Sequence, residues 1–383
     1  MNLHYLIIYI IETLLRVFPF PCQTGLIKIG DPDINSPVIL TCNYHLTVEG
    51  VKRAIKGIDV YLLVANSKGI NVWCSATGGR FTNHDVISVL KTSGIEEVVG
   101  HRNVILPQLA ATGVEAKIIK EKTGWEVIWG PVYAKDLPLF LKDHFIKTPK
   151  MREVEFPWKQ RIEMAVAWAF PISAVLAIIM IIFRSEAILP VVFLVWIISF
   201  LIFISFPVYS RFLKTEGKKI GFIFFDFGRG SLQLIIWTIL MVALAIYVVL
   251  SGNFSWRFIL FWGFISFIVV LILSIDLMGS TPVYKGGFQD DRLLKVILDK
   301  DKCKGVGFCE EICPRNCFEV DRKRHIATMP RADQCVQCGA CIVQCPLNAL
   351  YFKSPNGEII PPETIRKFKL NLMGKRFVKV EEK

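Results

Sequence analysis

Charge is scarce in this chain of 383 residues: 20% are Asp, Glu, Lys or Arg, whereas 53% are hydrophobic. Mean hydropathy is +0.46. That balance excludes a disordered or fibrous protein, and it is too apolar for an ordinary soluble enzyme of this length. A chain-wide disulfide framework is also lacking, because eight of the 11 Cys fall between Cys303 and Cys345. Such a local cluster of thiols points to metal binding in a reducing compartment. The N-terminal run MNLHYLIIYIIETLLRVFPF has no basic n-region, is interrupted by Glu12 and Arg16, and is followed by no A-x-A site. It reads as an amphipathic or packed helix and not as a signal peptide. The formal charge of +12 forms no basic stripe, since Lys and Arg flank apolar segments. Nucleic acid is therefore not an expected partner, and membrane lipid at a cytoplasmic face is.

At about 100 to 200 residues per domain, the length allows two or three units. From Ser36 to Leu141, runs such as VILTCN, DVYLLVA, NVWCSA and WEVIWG interleave with helical ones such as VEGVKRAI and HDVISVLKTSG. Strands alternating with helices predict a parallel α/β sheet. Four apolar stretches follow, near 162–183, 188–206, 231–250 and 256–275. Each is close to the roughly 20 residues that a membrane helix needs. Lys142, Lys147, Lys150, Arg152, Lys159 and Arg161 precede the first, and Arg211, Lys214, Lys218, Lys219 and Arg229 lie between the second and third. The other two connections carry only Arg184 and Arg257. Basic loops stay inside, so a multi-pass protein of the cytoplasmic membrane is expected, with both soluble parts facing the cytoplasm. The segment 221–228, GFIFFDFG, is too short for a fifth span and carries Asp226.

Two segments align without a gap: CKGVGFCEEICP from Cys303 and CVQCGACIVQCP from Cys335. The doubled run is the signature of a bacterial two-cluster ferredoxin, in which three Cys of one run and the distal Cys of the other hold each cluster. By that rule Cys335, Cys338, Cys341 and Cys313 hold a complete 4Fe-4S cluster. Thiolates are the soft donors that iron prefers, and the Cys-Pro endings exceed what the competing reading, a structural zinc site, requires. The first run departs from the pattern, because Val306 stands where a second Cys belongs. Cys303, Cys309 and Cys345 remain. That site is expected to hold a 3Fe-4S cluster with three ligands, or a 4Fe-4S cluster if Cys317 serves as the substitute.

Cys74 lies in NVWCSATGGRF, read as an apolar strand running into a polar, Gly-containing loop. In open α/β sheets, ligands bind beyond the carboxyl ends of strands, which favours a reactive group there. Alone, such a thiol is more often a buried core residue, as expected for Cys22 and Cys42. Gly78 and Gly79 are followed by no P-loop Lys. His45, His84 and His101 have no paired spacing and read as ordinary hydrogen-bonding residues.

Taken together, NVWCSATGG, GHRNVILPQLAATGV, WEVIWGPVYAKDLPLFL, MREVEF and GSTP resemble the corrinoid protein family of microbial mercury methylation. That family is itself similar to the corrinoid iron-sulfur proteins of the acetyl-CoA pathway, and its partner is a two-cluster ferredoxin. The resemblance extends from about residue 36 to 350 and suggests a fusion of the two proteins. It implies three domains: a Rossmann-like α/β corrinoid-binding domain (1–150), a four-helix transmembrane domain (151–280) and an α+β ferredoxin-like domain of the 2[4Fe-4S] type (281–383). It implies that Cys74 ligates the cobalt of a cobalamin-type corrinoid, with Asn71, Val72, Trp73, Ser75, Ala76, Thr77, Gly78 and Gly79 around the cofactor. The family motif NVWCAAGKG differs at Ser75, Thr77 and Gly78, and no D-x-H-x-x-G segment of the histidine-ligated kind is present.

The implied activity is methyl transfer from a methyl-pterin donor, or its methyltransferase, to Hg(II). The fused ferredoxin, fed by a low-potential electron donor, would reduce the cobalt. A different acceptor, from the acetyl-CoA pathway or another metal or metalloid, is the alternative within that chemistry. A membrane electron-transfer subunit without corrinoid is the alternative outside it.

Overall fold

The computed structural model describes residues 3–210, 231–252, 255–277, 283 and 294–368. The chain divides into two compact units that do not follow chain order. One comprises Met1–Phe18 with Glu155–Leu293, and the other Pro19–Val154 with Leu294–Lys383.

The first unit is helical. The N-terminal helix Leu3–Leu14 packs on helix Trp158–Phe183, where the Tyr9 hydroxyl donates to Glu163 and Arg16 pairs with the same carboxylate at 3.5 Å. Helix Ile188–Ile204 packs on Trp158–Phe183, and Ser231–Leu250 packs on Trp256–Leu277. Three segments, Trp158–Phe183, Ser185–Ile204 and Trp256–Ser274, are long and apolar enough to cross a membrane; Trp237–Leu250 is a shorter apolar helix among the described residues. Small residues let these helices approach closely. Ala165 and Ala169 are fully buried, and Ser199 Oγ bonds across the contact to Ala165 O at 2.8 Å. Large apolar side chains such as Ile182, Phe183, Leu189 and Phe193 point outward, as lipid-facing positions would. The basic residues Arg211, Lys214, Lys218, Lys219 and Arg229, the segment 221–228 and GSTP lie outside the described residues.

The second unit contains a five-stranded sheet of β1 (Gly25–Ile29), β2 (Val38–Cys42), β3 (Val60–Ala65), β4 (Asn103–Leu106) and β5 (Glu126–Trp129), in the order β1-β3-β2-β4-β5. The strands β2 and β3 are buried along their whole length, so their Val, Ile and Leu runs show no polar alternation. The sheet is mixed and not all-parallel as expected: β1 runs antiparallel to β3 at one edge, while β2, β3, β4 and β5 are parallel.

NVWCSA is not the strand its composition predicts; residues Val72–Thr77 form a short helix. A short apolar run buried on most sides carries no periodicity that separates strand from helix.

The iron-sulfur module lies in the same unit. It pairs β6 (Lys295–Leu298), β9 (Leu350–Lys353) and β10 (Ile359–Ile360) in one antiparallel sheet, and β7 (Glu319–Asp321) with β8 (Ile326–Thr328) in another. Its short helices Phe308–Ile312 and Ala340–Gln344 follow the cysteine loops of the two runs. Ile312 and Ala340 join the core on one face of the five-stranded sheet, and Cys338 packs against it.

Candidate functional site

The strand order reverses between β2 and β4, which places the ligand crevice of an open α/β sheet beyond their carboxyl ends. A cavity of about 100 Å³ lies there, lined by Leu40, Thr41, Val72, Leu106 and Pro107 among others. The Cys74 helix follows the carboxyl end of β3. The loop before it is organised by Asn43, a buried side chain at the end of β2 whose Oδ1 accepts from Ser67 N at 2.8 Å, Ser67 Oγ at 3.0 Å and Gly69 N at 3.0 Å. Sequence reasoning missed Asn43. Nothing local marks it, since its partners lie 24 and 26 residues away.

Asn71 caps the Cys74 helix by accepting from Cys74 N at 2.9 Å. Ser75 and Thr77 turn their hydroxyls back onto the helix, to Asn71 O and Trp73 O, both at 2.7 Å. Val72, Trp73, Ser75, Ala76 and Thr77 are buried, whereas Asn71, Cys74, Gly78 and Gly79 keep exposed surface. Of the nine candidate corrinoid-binding residues, only these four face outward. The departures from the family motif acquire a physical reading. Ser75 and Thr77 point inward, and a Cβ at Gly78 would come 2.7 Å from Cys74 O, so a Lys there requires the backbone to shift. The exposed part of this segment is thus Asn71, Cys74, Gly78 and Gly79.

Behind the helix packs the 3-10 turn Gln108–Thr112. Gly113 allows the approach: a Cβ there would meet Phe81 O at 2.4 Å and Ala76 O at 2.9 Å. The same turn contacts both iron-sulfur helices. Gln344, immediately before Cys345, bonds through Nε2 to Ala111 O at 2.8 Å and Val114 O at 2.6 Å, and its Oε1 accepts from Ala116 N at 3.2 Å. Lys147 Nζ, 4% exposed, donates to Gln108 Oε1 at 3.0 Å and Glu311 O at 3.1 Å. Burial pulls its pKa down to about 7; Glu311 opposes that shift and Arg152 adds to it. Val154 N to Pro314 O at 2.8 Å and Arg315 to Val154 O at 2.9 Å extend the contact. The iron-sulfur module is therefore docked on the α/β layer by polar groups distant in sequence.

Within the module the thiols fall into two sets. Cys309 has Cys303 and Cys345 as its charged neighbours, and burial pushes its thiol up to about 12. Around a cavity of about 30 Å³ these three meet the exposed Val306. Burial raises Cys338 and Cys341, which neighbour Cys335 and Cys313; Cys341 also feels Cys309 of the first set. Cys317 lies beside Cys313, its backbone N–H donating to Cys313 Sγ at 3.3 Å, and it does not line the cavity at Val306. Backbone amides point at the sulfurs: Ala327 N to Cys303 Sγ and Gln337 N to Cys335 Sγ, both at 3.4 Å. Among the described residues no three His, Cys, Asp or Glu side chains close on a single-ion site. Buried thiols penalised as free anions, with amides aimed at their sulfurs, suit a cationic iron core that neutralises them. Cys42, by contrast, is a fully buried core thiol raised by burial, and Cys22 Sγ donates to Asn43 O at 3.5 Å. His101 Nε2 bonds Ser36 O at 3.1 Å.

Comparison with known proteins locates both parts. Residues 16–141 match the family model of the CO dehydrogenase/acetyl-CoA synthase delta subunit, and residues 302–358 match that of the 4Fe-4S dicluster domain. The chain is 39% identical over 126 residues to the acetyl-CoA decarbonylase/synthase complex subunit gamma of Methanopyrus kandleri, covering 32% of this chain and 27% of that protein. The same subunit of Archaeoglobus fulgidus is 39% identical over 116 residues, 30% of this chain and 24% of that protein. The corrinoid/iron-sulfur protein large subunit of Moorella thermoacetica is 30% identical over 126 residues, 32% and 28% of the two chains. The chain thus spans about a quarter of the length of the relatives it matches. A corrinoid-protein-like segment and an iron-sulfur segment occur in one chain with apolar helices long enough to cross a membrane.

Proposed function

We propose that this protein is a membrane-bound corrinoid-dependent methyl carrier whose own iron-sulfur module keeps its cobalt reduced. The observation that carries the reading is the turn Gln108–Thr112, which packs on the Cys74 helix and on both iron-sulfur helices. When bound, a corrinoid supplies a redox-active cobalt that accepts and gives up a methyl group. Cys74 would hold the cobalt through its sulfur, and a thiolate donates more electron density to a metal than imidazole does. Asn71 caps the turn that carries Cys74, and Gly78 and Gly79 add no side chains to that face. Cys313, Cys335, Cys338 and Cys341 hold a 4Fe-4S cluster, and Cys303, Cys309 and Cys345 a 3Fe-4S cluster. Tethering and docking keep this donor at high effective concentration beside its acceptor. Four helices anchor the chain, with both soluble parts in the cytoplasm.

The relatives belong to acetyl-CoA decarbonylase/synthase complexes or are corrinoid/iron-sulfur proteins. A protein partner of the acetyl-CoA type therefore stands first as methyl acceptor, with a methyl-pterin as donor. Hg(II) stands second, supported by the Asn71-Val72-Trp73-Cys74 segment in a chain with apolar spans. The test is cobalt and iron content of anaerobically purified protein, with Cys74→Ala alongside. Wild type is expected to carry cobalt and methyl-transfer activity. The variant loses the activity and retains its iron-sulfur absorption, because its thiols are a separate set. Iron without cobalt in wild type would leave an electron-transfer subunit. Methylmercury formation by cells expressing the chain, abolished by Cys74→Ala, would move Hg(II) to first place.

A further inference from the structure

The N-terminal helix Leu3–Leu14 has its amphipathic faces inverted relative to a helix in water. Ile7, Ile10 and Ile11, spaced i, i+3 and i+4, form one stripe, and they are 48%, 48% and 47% exposed. Glu12 and Thr13 point away from that stripe and are buried, at 6% and 7%. Tyr9 shares the inner side, where its hydroxyl donates to Glu163 and its carbonyl accepts from Thr13 Oγ1 at 2.6 Å. A helix packed on a water-soluble core buries its apolar stripe and turns its polar residues out. This helix does the reverse, which water penalises and lipid does not.

The first apolar helix sets the level at which it docks. Trp158–Phe183 has 26 residues, about 39 Å at the rise of an α-helix. A hydrocarbon core is about 30 Å thick, so roughly six residues lie outside it. Those are the first six, since Lys159, Arg161 and Glu163 fall there and residues 164–183 carry no charge. The N-terminal helix meets this outer segment: Arg16 pairs with Glu163 at 3.5 Å, and Lys159 Nζ lies 5.2 Å from the centre of the Tyr9 ring. Arg161 Nη1 donates to Ile204 O at 2.6 Å, so the second apolar segment ends at the same level. Twelve residues span about 18 Å, too short to cross the core.

We infer that Leu3–Leu14 is an interfacial helix, lying along the membrane surface at the level of residues 158–163 with Ile7, Ile10 and Ile11 among the acyl chains. The inference rests on the membrane-bound reading. Phospholipid is the occupant of the exposed stripe, because the stripe adjoins a span that turns Ile178, Ile181 and Ile182 outward as well. Trp158, 68% exposed, and Lys159 sit where aromatic and basic residues gather at a bilayer boundary. Tyr9, Glu12 and Thr13 hold the helix to the protein, so its apolar stripe enters the leaflet to about 5–10 Å, as such helices do.

The experiment places an encoded benzophenone amino acid at Ile7, Ile10, Ile11 or Ile182 of the full chain in nanodiscs of phosphatidylethanolamine and phosphatidylglycerol. All four side chains are exposed, so the substitutions remove little packing. After illumination, mass spectrometry is expected to find lipid adducts at all four. Adducts at Ile182 but none at the other three overturn the inference and leave the membrane reading standing; none at Ile182 overturns both. Cross-links from Ile7, Ile10 or Ile11 to a second copy of the chain make the stripe a protein interface and overturn the lipid assignment. Depth is read with an encoded fluorescent amino acid at Ile10 and brominated lipids. Bromines near the headgroup end of the acyl chain are expected to quench it at least about twofold more than bromines near the tail end. The opposite order would put the helix deep in the core and refute the interfacial position.

Discussion

Lys147 offers the sharpest quantitative test of how the iron-sulfur module is held. Its ammonium is buried between Gln108 and Glu311, and burial lowers its pKa from 10.5 to about 7. The folded-state value lies below the unfolded one, so between those two pH values the unfolded chain binds more protons than the folded chain. Stability therefore rises with pH through that window and is lowest below it, where both states carry the charge. The whole shift corresponds to on the order of 5 kcal/mol, and the part realised between about pH 7 and 9 to roughly 2 kcal/mol. Hydrogen exchange, corrected for the intrinsic rate, reads this directly. In wild type, segments 108–116 and 308–314 are expected to exchange on the order of 30-fold more slowly at the higher pH, if the openings that release them expose Lys147. In Lys147→Met the slope disappears, although the bonds to Gln108 Oε1 and Glu311 O are lost at every pH. An unchanged slope in the variant would refute the burial argument.

Gln344→Leu keeps the volume but leaves Ala111 O, Val114 O and Ala116 N without their partner. At about 1 kcal/mol or more for each buried orphan, the cost is about 3 kcal/mol, so exchange across 111–116 should rise by at least about 100-fold, and wild-type protection would contradict the docking role. Val306→Cys restores the missing ligand position beside Cys303, Cys309 and Cys345; iron content is expected to rise from about seven to about eight per chain, and the 3Fe-4S resonance to disappear. Equal iron in both forms refutes the three-thiol site.

The cluster chemistry was legible in the sequence because its geometry is local: two runs of closely spaced Cys ending in Cys-Pro encode the loops that wrap an iron core. Three of the four apolar stretches, which form helices long and apolar enough to cross a membrane, were legible for the same reason, since length and composition alone decide whether a helix can cross a bilayer. The thiol of Cys74 could be singled out, but not its setting. NVWCSA is apolar on nearly every side, and a run with no polar alternation leaves strand and helix undistinguished until Asn71 caps it and the turn at Gln108–Thr112 packs behind it. The antiparallel edge β1 escaped because only pairing with β3 marks Gly25–Ile29 as a strand.

The side on which Cys317 falls escaped as well, because the two runs interleave their ligands and spacing cannot say which set a fifth thiol joins. What tertiary structure alone decided is the docking. Gln344 meets residues 228 to 233 positions away, and Lys147 a carbonyl 164 away. Contacts of that separation leave no local pattern, since each partner is satisfied by whatever the fold brings to it.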